Sequence, residues 1–157
     1  TFGAARVPLH RIALEVNEAV FMGGIDQVPK TVSALRERGV LVALDDFGTG
    51  FASLTHLLSF PVDVIKIDKS FVDRIGSDAA SSTIVGCIIE VARKLDMKIV
   101  AEGIEAADQV QALAELGCKL GQGFLFSRPC SSEDTTSLLT TFAQKRVPLR
   151  QASKLSA

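Results

Sequence analysis

An apolar run that stops at two adjacent carboxylates constrains the fold more than any other stretch of this sequence. Residues 40–44 are uninterrupted apolar, Asp45 and Asp46 follow, and Gly48 and Gly50 come next. A short continuous apolar run is typical of a strand buried on both faces, as in a parallel sheet covered by helices. The two aspartates would then lie at the strand end on opposite faces, beside a loop that glycine allows to turn tightly. For one isolated pair of acids, a solvated strand end is the simpler interpretation.

Strand and helix patterns alternate along the rest of the chain. Strand patterns cover residues 9–14, 62–68, 98–102 and 120–126, with Asn17 and Glu18 predicted in the loop after the first strand. Helix patterns include residues 51–58 and one apolar stripe at helical spacing, formed by Ile84, Ile88, Val91 and Leu95. We therefore predict an α/β fold in which parallel strands are joined by right-handed crossovers.

Polar residues lie at or near the ends of five consecutive predicted strands. They are Glu15, the Asp45–Asp46 pair, Lys66, Glu102 and Gln122. Ligands of such folds bind at the carboxyl ends of the strands. Each residue alone is ordinary, but the series at one rim of the sheet favours a functional site.

The residue types indicate the chemistry. Glu15, Asp45, Asp46 and Glu102 would repel one another without a counter-charge, so they must share protons or bind a cation. Oxygen donors without His or Cys favour Mg²⁺ or Mn²⁺ over Zn²⁺. Adjacent aspartates suit a two-metal site that hydrolyses phosphoesters, and Lys66 could orient the attacking water or stabilise phosphoryl oxygens.

Composition narrows the class of partner and compartment. The net charge is −1, from 17 basic and 18 acidic residues, which argues against a general DNA- or RNA-polymer binder. Three cysteines, with no Cys-x-x-Cys motif, are typical of reduced thiols in a cytoplasmic protein. No apolar run is long enough to span a membrane, so we expect no membrane contact from this segment, although other domains could tether it.

Five ordered motifs resemble the EAL-domain family of bacterial phosphodiesterases, which cleave cyclic di-GMP to the linear dinucleotide. The motifs extend from about Leu9 to Pro129 and are Leu14-Glu15-x-x-Glu18, Asp45-Asp46-Phe47-Gly48-Thr49-Gly50-Phe51-x-Ser53-Leu54, Ile65-Lys66-Ile67-Asp68-Lys69-Ser70-Phe71-Val72, Ala101-Glu102-Gly103-Ile104-Glu105 and Gln122-Gly123-Phe124-Leu125-Phe126-Ser127-x-Pro129. The resemblance implies the C-terminal portion of a (β/α)8 TIM-type barrel, two divalent cations, cyclic di-GMP as ligand, and a homodimer.

The resemblance also implies roles for individual residues. Glu15 and Asp45 resemble ligands of a first metal, Asp46 resembles a ligand of a second, and Glu102 resembles a metal-site acid that can also act as a base. Lys66 is similar to a lysine that holds the catalytic water. The remaining roles are a loop brace made by Glu18 with the glycine loop of Gly48 and Gly50, and substrate contacts by Glu105 and Gln122.

Two departures from the family pattern bear on activity. Asn17 and Ala19 replace the usual threonine and serine, with little expected effect. A complete barrel has about 250 residues, and the Glu-x-Leu strand and a metal-binding Asn are expected before Thr1. We therefore predict that residues 1–144 form part of a phosphodiesterase domain, inactive alone and active in a longer parent, and that residues 145–157 form a basic, disordered tail.

Two other interpretations fit the motifs less well. A non-catalytic cyclic di-GMP receptor or interaction module of the same fold usually lacks metal acids or the glycine loop, and both are present here. A flavodoxin-like receiver with an aspartate pair and a strand-end lysine matches the chain length. A receiver, however, does not need Glu15, Glu102 and Gln122 at the same rim.

Overall fold

The structure is a computed structural model that describes residues 7–22, 27–48, 57 and 61–145. Strands and helices alternate along these residues. After a 3₁₀ turn at Leu9–Arg11, they are β1 Ala13–Asn17, α1 Glu18–Met22, α2 Gln27–Glu37, β2 Leu41–Phe47, β3 Val64–Ile67, α3 Lys69–Val72, α4 Ala79–Lys94, β4 Lys98–Ala101, α5 Ala107–Glu115, β5 Leu120–Gly121 and α6 Ser132–Lys145. The predicted helix at 51–58 lies outside the described residues except for buried Leu57.

The five described strands form one parallel sheet in the order β1-β2-β3-β4-β5. The predicted α/β class with parallel strands is confirmed. Each strand pairs with the next one in the chain, which is the arrangement of a (β/α) barrel. A flavodoxin-like sheet has the order 2-1-3-4-5, so the receiver interpretation is wrong.

The core lies between the sheet and its helices. Val42, Leu44, Ile65 and Ile67 are fully buried on the strands. On the facing side of α4, the buried residues are Ser81, Val85, Ile88, Ile89 and Ala92. The predicted stripe is confirmed at Ile88, which is buried, and at Val91 and Leu95, which are partly buried and pack against the core, but it is wrong at Ile84, which is 45% exposed. Small residues at 81 and 92 shift the buried face in a way that a search for large apolar side chains does not detect.

The predicted boundaries differ from the structure most clearly at the first and last strands. Asn17 ends β1 and Glu18 begins α1, so neither residue lies in a loop. The first strand starts at Ala13 because residues 9–11 form the 3₁₀ turn. The last strand ends at Gly121 rather than 126, since the chain then turns and the Phe126 N–H donates to the Gly123 carbonyl at 3.1 Å.

A partly buried ion pair connects α2 to the sheet at the amino ends of the strands. Arg36 Nη2 lies 2.6 Å from Asp63 Oδ1, and the Val42 N–H donates to Asp63 Oδ2 at 2.9 Å. Burial opposes ionisation of Asp63, but the Arg36 and Val42 hydrogen bonds outweigh it and lower the pKa of this carboxyl below its ordinary value. The pair therefore stabilises the packing of α2 on β2 and β3 while Asp63 is ionised.

The C-terminal helix has the predicted cap, since the Asp134 N–H donates to Ser131 Oγ at 3.2 Å. It extends to Lys145, and the rest of the predicted tail lies outside the described residues. Cys87, Cys118 and Cys130 are free thiols, as predicted. Within the described part of the chain, no helix combines the length and apolar character that a membrane span requires.

Candidate active site

A buried lysine joins acids from three other strands at the carboxyl ends of the sheet. Lys66 on β3 is only 5% exposed. Its Nζ lies 2.8 Å from Glu15 Oε2 of β1, 3.0 Å from Asp45 Oδ1 of β2 and 2.6 Å from Glu102 Oε1, directly after β4. The sequence predicted that these side chains converge, and the structure brings all four together.

The electrostatics of this cluster leave an excess of negative charge. Burial alone would lower the pKa of Lys66, but its contacts with the carboxylates of Glu102, Glu15 and Asp45 raise it above its ordinary value and favour the protonated amine. For Glu102, burial is the largest effect and raises the pKa despite the contact with Lys66. Among the described residues, three carboxylates of this cluster contact one ammonium, so acidic groups outnumber basic ones there by two.

A β-bulge sends the two aspartates in different directions. Leu44 pairs with Ile65 and Phe47 with Ile67, so β2 has one more residue than β3 across this interval. Asp46 adopts the left-handed conformation, with φ 56°. Bulges of this kind re-aim side chains next to functional sites. Asp45 therefore turns toward Lys66, whereas Asp46 Oδ2 accepts a hydrogen bond from Asn17 Nδ2 at 2.6 Å.

Gln122 completes the rim after β5. Its Nε2 donates to Glu102 Oε1 at 2.6 Å, the same oxygen that contacts Lys66. The adjacent glycine is required for this placement, because a Cβ on Gly123 would lie 2.1 Å from the Ile104 carbonyl oxygen. The Ile104 N–H also donates to the Gln122 carbonyl at 3.1 Å, so the chain after β4 holds the turn that carries Gln122.

The predicted loop brace is present in part. Glu18 is 4% exposed, and its Oε2 accepts a hydrogen bond from the Gly48 N–H at 3.4 Å. Gly48 has φ +97°, a conformation that disfavours any side chain. Gly50 lies outside the described residues. Glu18 therefore reaches the first residue of the loop that follows the aspartates.

Glu105 lies beside this cluster rather than within it. It forms an ion pair with Lys69, and both side chains are about half exposed. The two residues and Gln122 line a cavity of about 690 Å³ bounded by α6. Arg128 lies over the Phe124 ring in the same wall, 4.6 Å from its centroid. Neither Lys69 nor Arg128 was predicted as a site residue, although Lys69 belongs to one quoted motif and Arg128 occupies the variable position of another.

The residues at this rim fit a divalent cation by their chemistry. Within the described ranges, no group of three His, Cys, Asp or Glu side chains is arranged to hold a metal directly, because the acids converge on Lys66 Nζ. Asp45 Oδ1 is buried and makes no hydrogen bond, since its 3.0 Å approach to Lys66 is an ion pair without hydrogen-bond geometry. Hard oxygen donors, excess negative charge and an unsatisfied carboxylate oxygen suit Mg²⁺ or Mn²⁺.

Comparison with known proteins decides the family. The family model described as "EAL domain" matches residues 2–129. The chain belongs to the EAL-domain family. Cyclic di-GMP phosphodiesterase NbdA of Pseudomonas aeruginosa is 45% identical over 118 residues, which is 75% of this chain and 15% of NbdA. The chain spans between 15% and 17% of the length of three curated relatives, of which NbdA is one.

Solved structures support the fold of this EAL-domain chain. The EAL domain of Mycobacterium smegmatis DcpA superposes with a TM-score of 0.83 at 38% identity, covering 94% of this chain and 65% of that structure. Klebsiella pneumoniae BlrP1, solved as a complex with manganese and cyclic di-GMP, has a TM-score of 0.77 at 37% identity over 81% of this chain and 32% of that one. The five-stranded parallel sheet therefore corresponds to part of an EAL-type TIM barrel, as predicted.

Proposed function

We propose that this chain is part of a phosphodiesterase that hydrolyses cyclic di-GMP to linear pGpG. One observation carries the proposal: Lys66, 5% exposed, contacts acids from three strands at the rim where barrel enzymes bind substrate. A buried ammonium that meets three carboxylates is a costly arrangement unless it serves a site. The names of NbdA and of the BlrP1 complex support cyclic di-GMP as the ligand.

The activity is proposed for a longer protein that contains this chain. The chain covers 65% of the DcpA EAL domain, and residues that complete the site in such domains need not lie within it. In this proposal residues 1–144 belong to the catalytic domain and residues 145–157 form a basic tail. The three free thiols support a cytoplasmic location. A homodimer is proposed from the two outer strands β1 and β5, each of which has one partner among the described strands.

Different side chains at the rim can serve as the base and as the group that stabilises charge during hydrolysis. Lys66 Nζ and Gln122 Nε2 both contact Oε1 of Glu102, and neither contact uses Oε2. We propose that Oε2 takes the proton of the attacking water. The water oxygen then bonds to phosphorus, the bond from phosphorus to the ribose oxygen breaks, and that oxygen takes a proton from solvent as it leaves. The Lys66 ammonium can hold the water or stabilise phosphoryl oxygens, and we propose Glu102 rather than Lys66 as the base.

The same carboxylates are the proposed cation ligands. Glu15, Asp45 and Glu102 would hold one Mg²⁺ or Mn²⁺ and Asp46 would help to hold a second. Bound divalent cations supply Lewis-acid activation of water and neutralise charge on the phosphoryl group. Glu105 and Gln122 would contact the substrate from the neighbouring cavity. The Glu18 contact with Gly48 would keep the loop after Asp46 in place.

The test is turnover of cyclic di-GMP by the full-length protein that contains this chain. Glu102→Gln removes the proposed base while keeping side-chain size, and it should lower kcat at least about 100-fold. Glu90→Gln is the matched control, because Glu90 pairs with Arg93 on the exposed face of α4 and should leave kcat unchanged. Equal kcat values for Glu102→Gln and wild type would reject the assignment.

Calorimetry with cyclic di-GMP separates the enzyme from a receptor of the same fold. An enzyme should bind more tightly with Mn²⁺ than with EDTA and should convert the ligand when Mn²⁺ is present. Metal-independent binding with the ligand recovered intact would establish the receptor function instead.

A further inference from the structure

Asn17, the last residue of β1, makes two hydrogen bonds that fix its side chain from both ends. Its Nδ2 donates to Asp46 Oδ2 at 2.6 Å, and its Oδ1 accepts from the Ala19 N–H at 2.9 Å. A backbone N–H only donates and a carboxylate only accepts, so the amide has one orientation that satisfies both partners. The side chain therefore links the beginning of α1 to the carboxylate of Asp46.

The hydrogen bond from Asn17 matters because the backbone of Asp46 is irregular. Asp46 has φ 56° within the β-bulge, a conformation that costs a non-glycine residue about 1 kcal/mol or more. Asn17 lies directly opposite Asp45 in the β1–β2 register, so its amide is positioned beside the bulge by strand pairing. A hydrogen bond from an ordered donor restricts the rotation of the Asp46 carboxylate at the point where the strand is irregular.

We propose that Asn17 is a positioning residue that orients the Asp46 carboxylate toward a divalent cation. This inference rests on the proposed function, since it assigns Asp46 to a cation site. Hydrogen-bond donors behind a ligating carboxylate fix which oxygen faces the metal, and losing one typically weakens metal affinity 10- to 100-fold. Asn17 Nδ2 donates to Asp46 Oδ2, which restrains the direction in which the carboxylate presents its oxygens.

Two variants separate this role from capping of α1. Asn17→Ala removes both hydrogen bonds. Asn17→Ser keeps a hydroxyl acceptor for the Ala19 N–H, but its side chain is about one bond too short to occupy the position of Nδ2. A capping role alone predicts lower stability in Asn17→Ala and normal metal binding in Asn17→Ser.

The experiment titrates Mn²⁺ by calorimetry into the full-length protein that contains this chain, without cyclic di-GMP, alongside urea unfolding of each variant. We expect Mn²⁺ affinity to fall about 10-fold or more in both variants, with stability retained in Asn17→Ser. Turnover of both variants should need more Mn²⁺ for half-maximal rate and should approach the wild-type rate at saturating Mn²⁺.

The outcomes remain distinct from failure of the proposed function. If wild type binds Mn²⁺ and Asn17→Ser binds it equally well, the positioning role is wrong while the phosphodiesterase proposal stands. If affinity falls only in Asn17→Ala and together with stability, Asn17 acts as a helix cap and the inference is overturned. If wild type itself binds no Mn²⁺, the metal site and the inference built on it both fail.

Discussion

Replacing Lys66 with methionine tests whether its charge holds the acid cluster together. The substitution keeps side-chain length but leaves Glu15, Asp45 and Glu102 without their shared ammonium. Removing one partner of a buried ion pair typically costs about 3–5 kcal/mol. The Glu15 side chain is 52% exposed and can rehydrate, so we expect a smaller loss of about 2–4 kcal/mol.

Thermal and urea unfolding in EDTA measure this cost. For a chain of this size each kcal/mol corresponds to about 2–4 °C in Tm, so Lys66→Met should unfold roughly 5–15 °C below wild type. Lys69→Met is the matched control at the same rim. The Lys69 and Glu105 side chains are 46% and 47% exposed, so its loss should stay below about 1 kcal/mol.

Adding Mn²⁺ provides the second half of the test. A cation that enters the cluster replaces the lost positive charge, and it should stabilise Lys66→Met by about 3 kcal/mol at a concentration 100-fold above its Kd. Lys69→Met should gain no more from Mn²⁺ than wild type does. The electrostatic account is refuted if the two variants are equally stable in EDTA, or if Mn²⁺ leaves the Tm of Lys66→Met unchanged.

Two further substitutions examine the scaffold around the site. Asp63→Asn keeps an acceptor for the Val42 N–H but removes the ionic contact with Arg36, and it should cost about 1 kcal/mol at neutral pH. Folding lowers the pKa of Asp63, so its contribution to the free energy of unfolding is complete above the ordinary value of 3.8 and is lost as pH falls through the folded pKa. The stability difference between Asp63→Asn and wild type in urea unfolding should therefore close below pH 3.8. A difference that persists unchanged at pH 2 would contradict this sign. Gly123→Ala places a Cβ 2.1 Å from the Ile104 carbonyl oxygen, so it should lower the free energy of unfolding by about 1–3 kcal/mol and reduce turnover of the full-length protein. A variant with wild-type Tm and turnover would show that the close contact is unimportant.

The residues of the rim could be predicted because strand alternation follows from the backbone alone. Lys66 lies in an apolar strand, and a buried lysine requires an acid nearby, so its meeting with acids from other strands was expected. The parallel order of the strands was expected for the same reason, since helix patterns separate them. These predictions depend on periodicity and charge, which the sequence displays directly.

The β-bulge could not be predicted from the same pattern. Whether Asp46 continues the strand or adopts φ 56° depends on how β2 pairs with β3 and on hydrogen bonds from β1. From the sequence alone, Asn17 is therefore predicted to lie in a loop and to be a departure with little effect. Its contact with Asp46 spans 29 residues of sequence, and no local pattern indicates it.

The short last strand has a similar explanation. Residues 120–126 read as a strand because apolar and aromatic residues are frequent there. In the structure β5 ends at Gly121, and Ile104 lies so close to Gly121 and Gly123 that neither position has room for a Cβ. The placement of Gln122 thus depends on contacts from the neighbouring strand end.

Product analysis by chromatography tests the central proposal most directly. The full-length protein that contains this chain is incubated with cyclic di-GMP in Mn²⁺ and, separately, in EDTA. Hydrolysis at the Lys66 site predicts that linear pGpG accumulates only with Mn²⁺ and disappears in the Glu102→Gln variant. Intact cyclic di-GMP in both buffers, with wild type folded, would contradict the phosphodiesterase function.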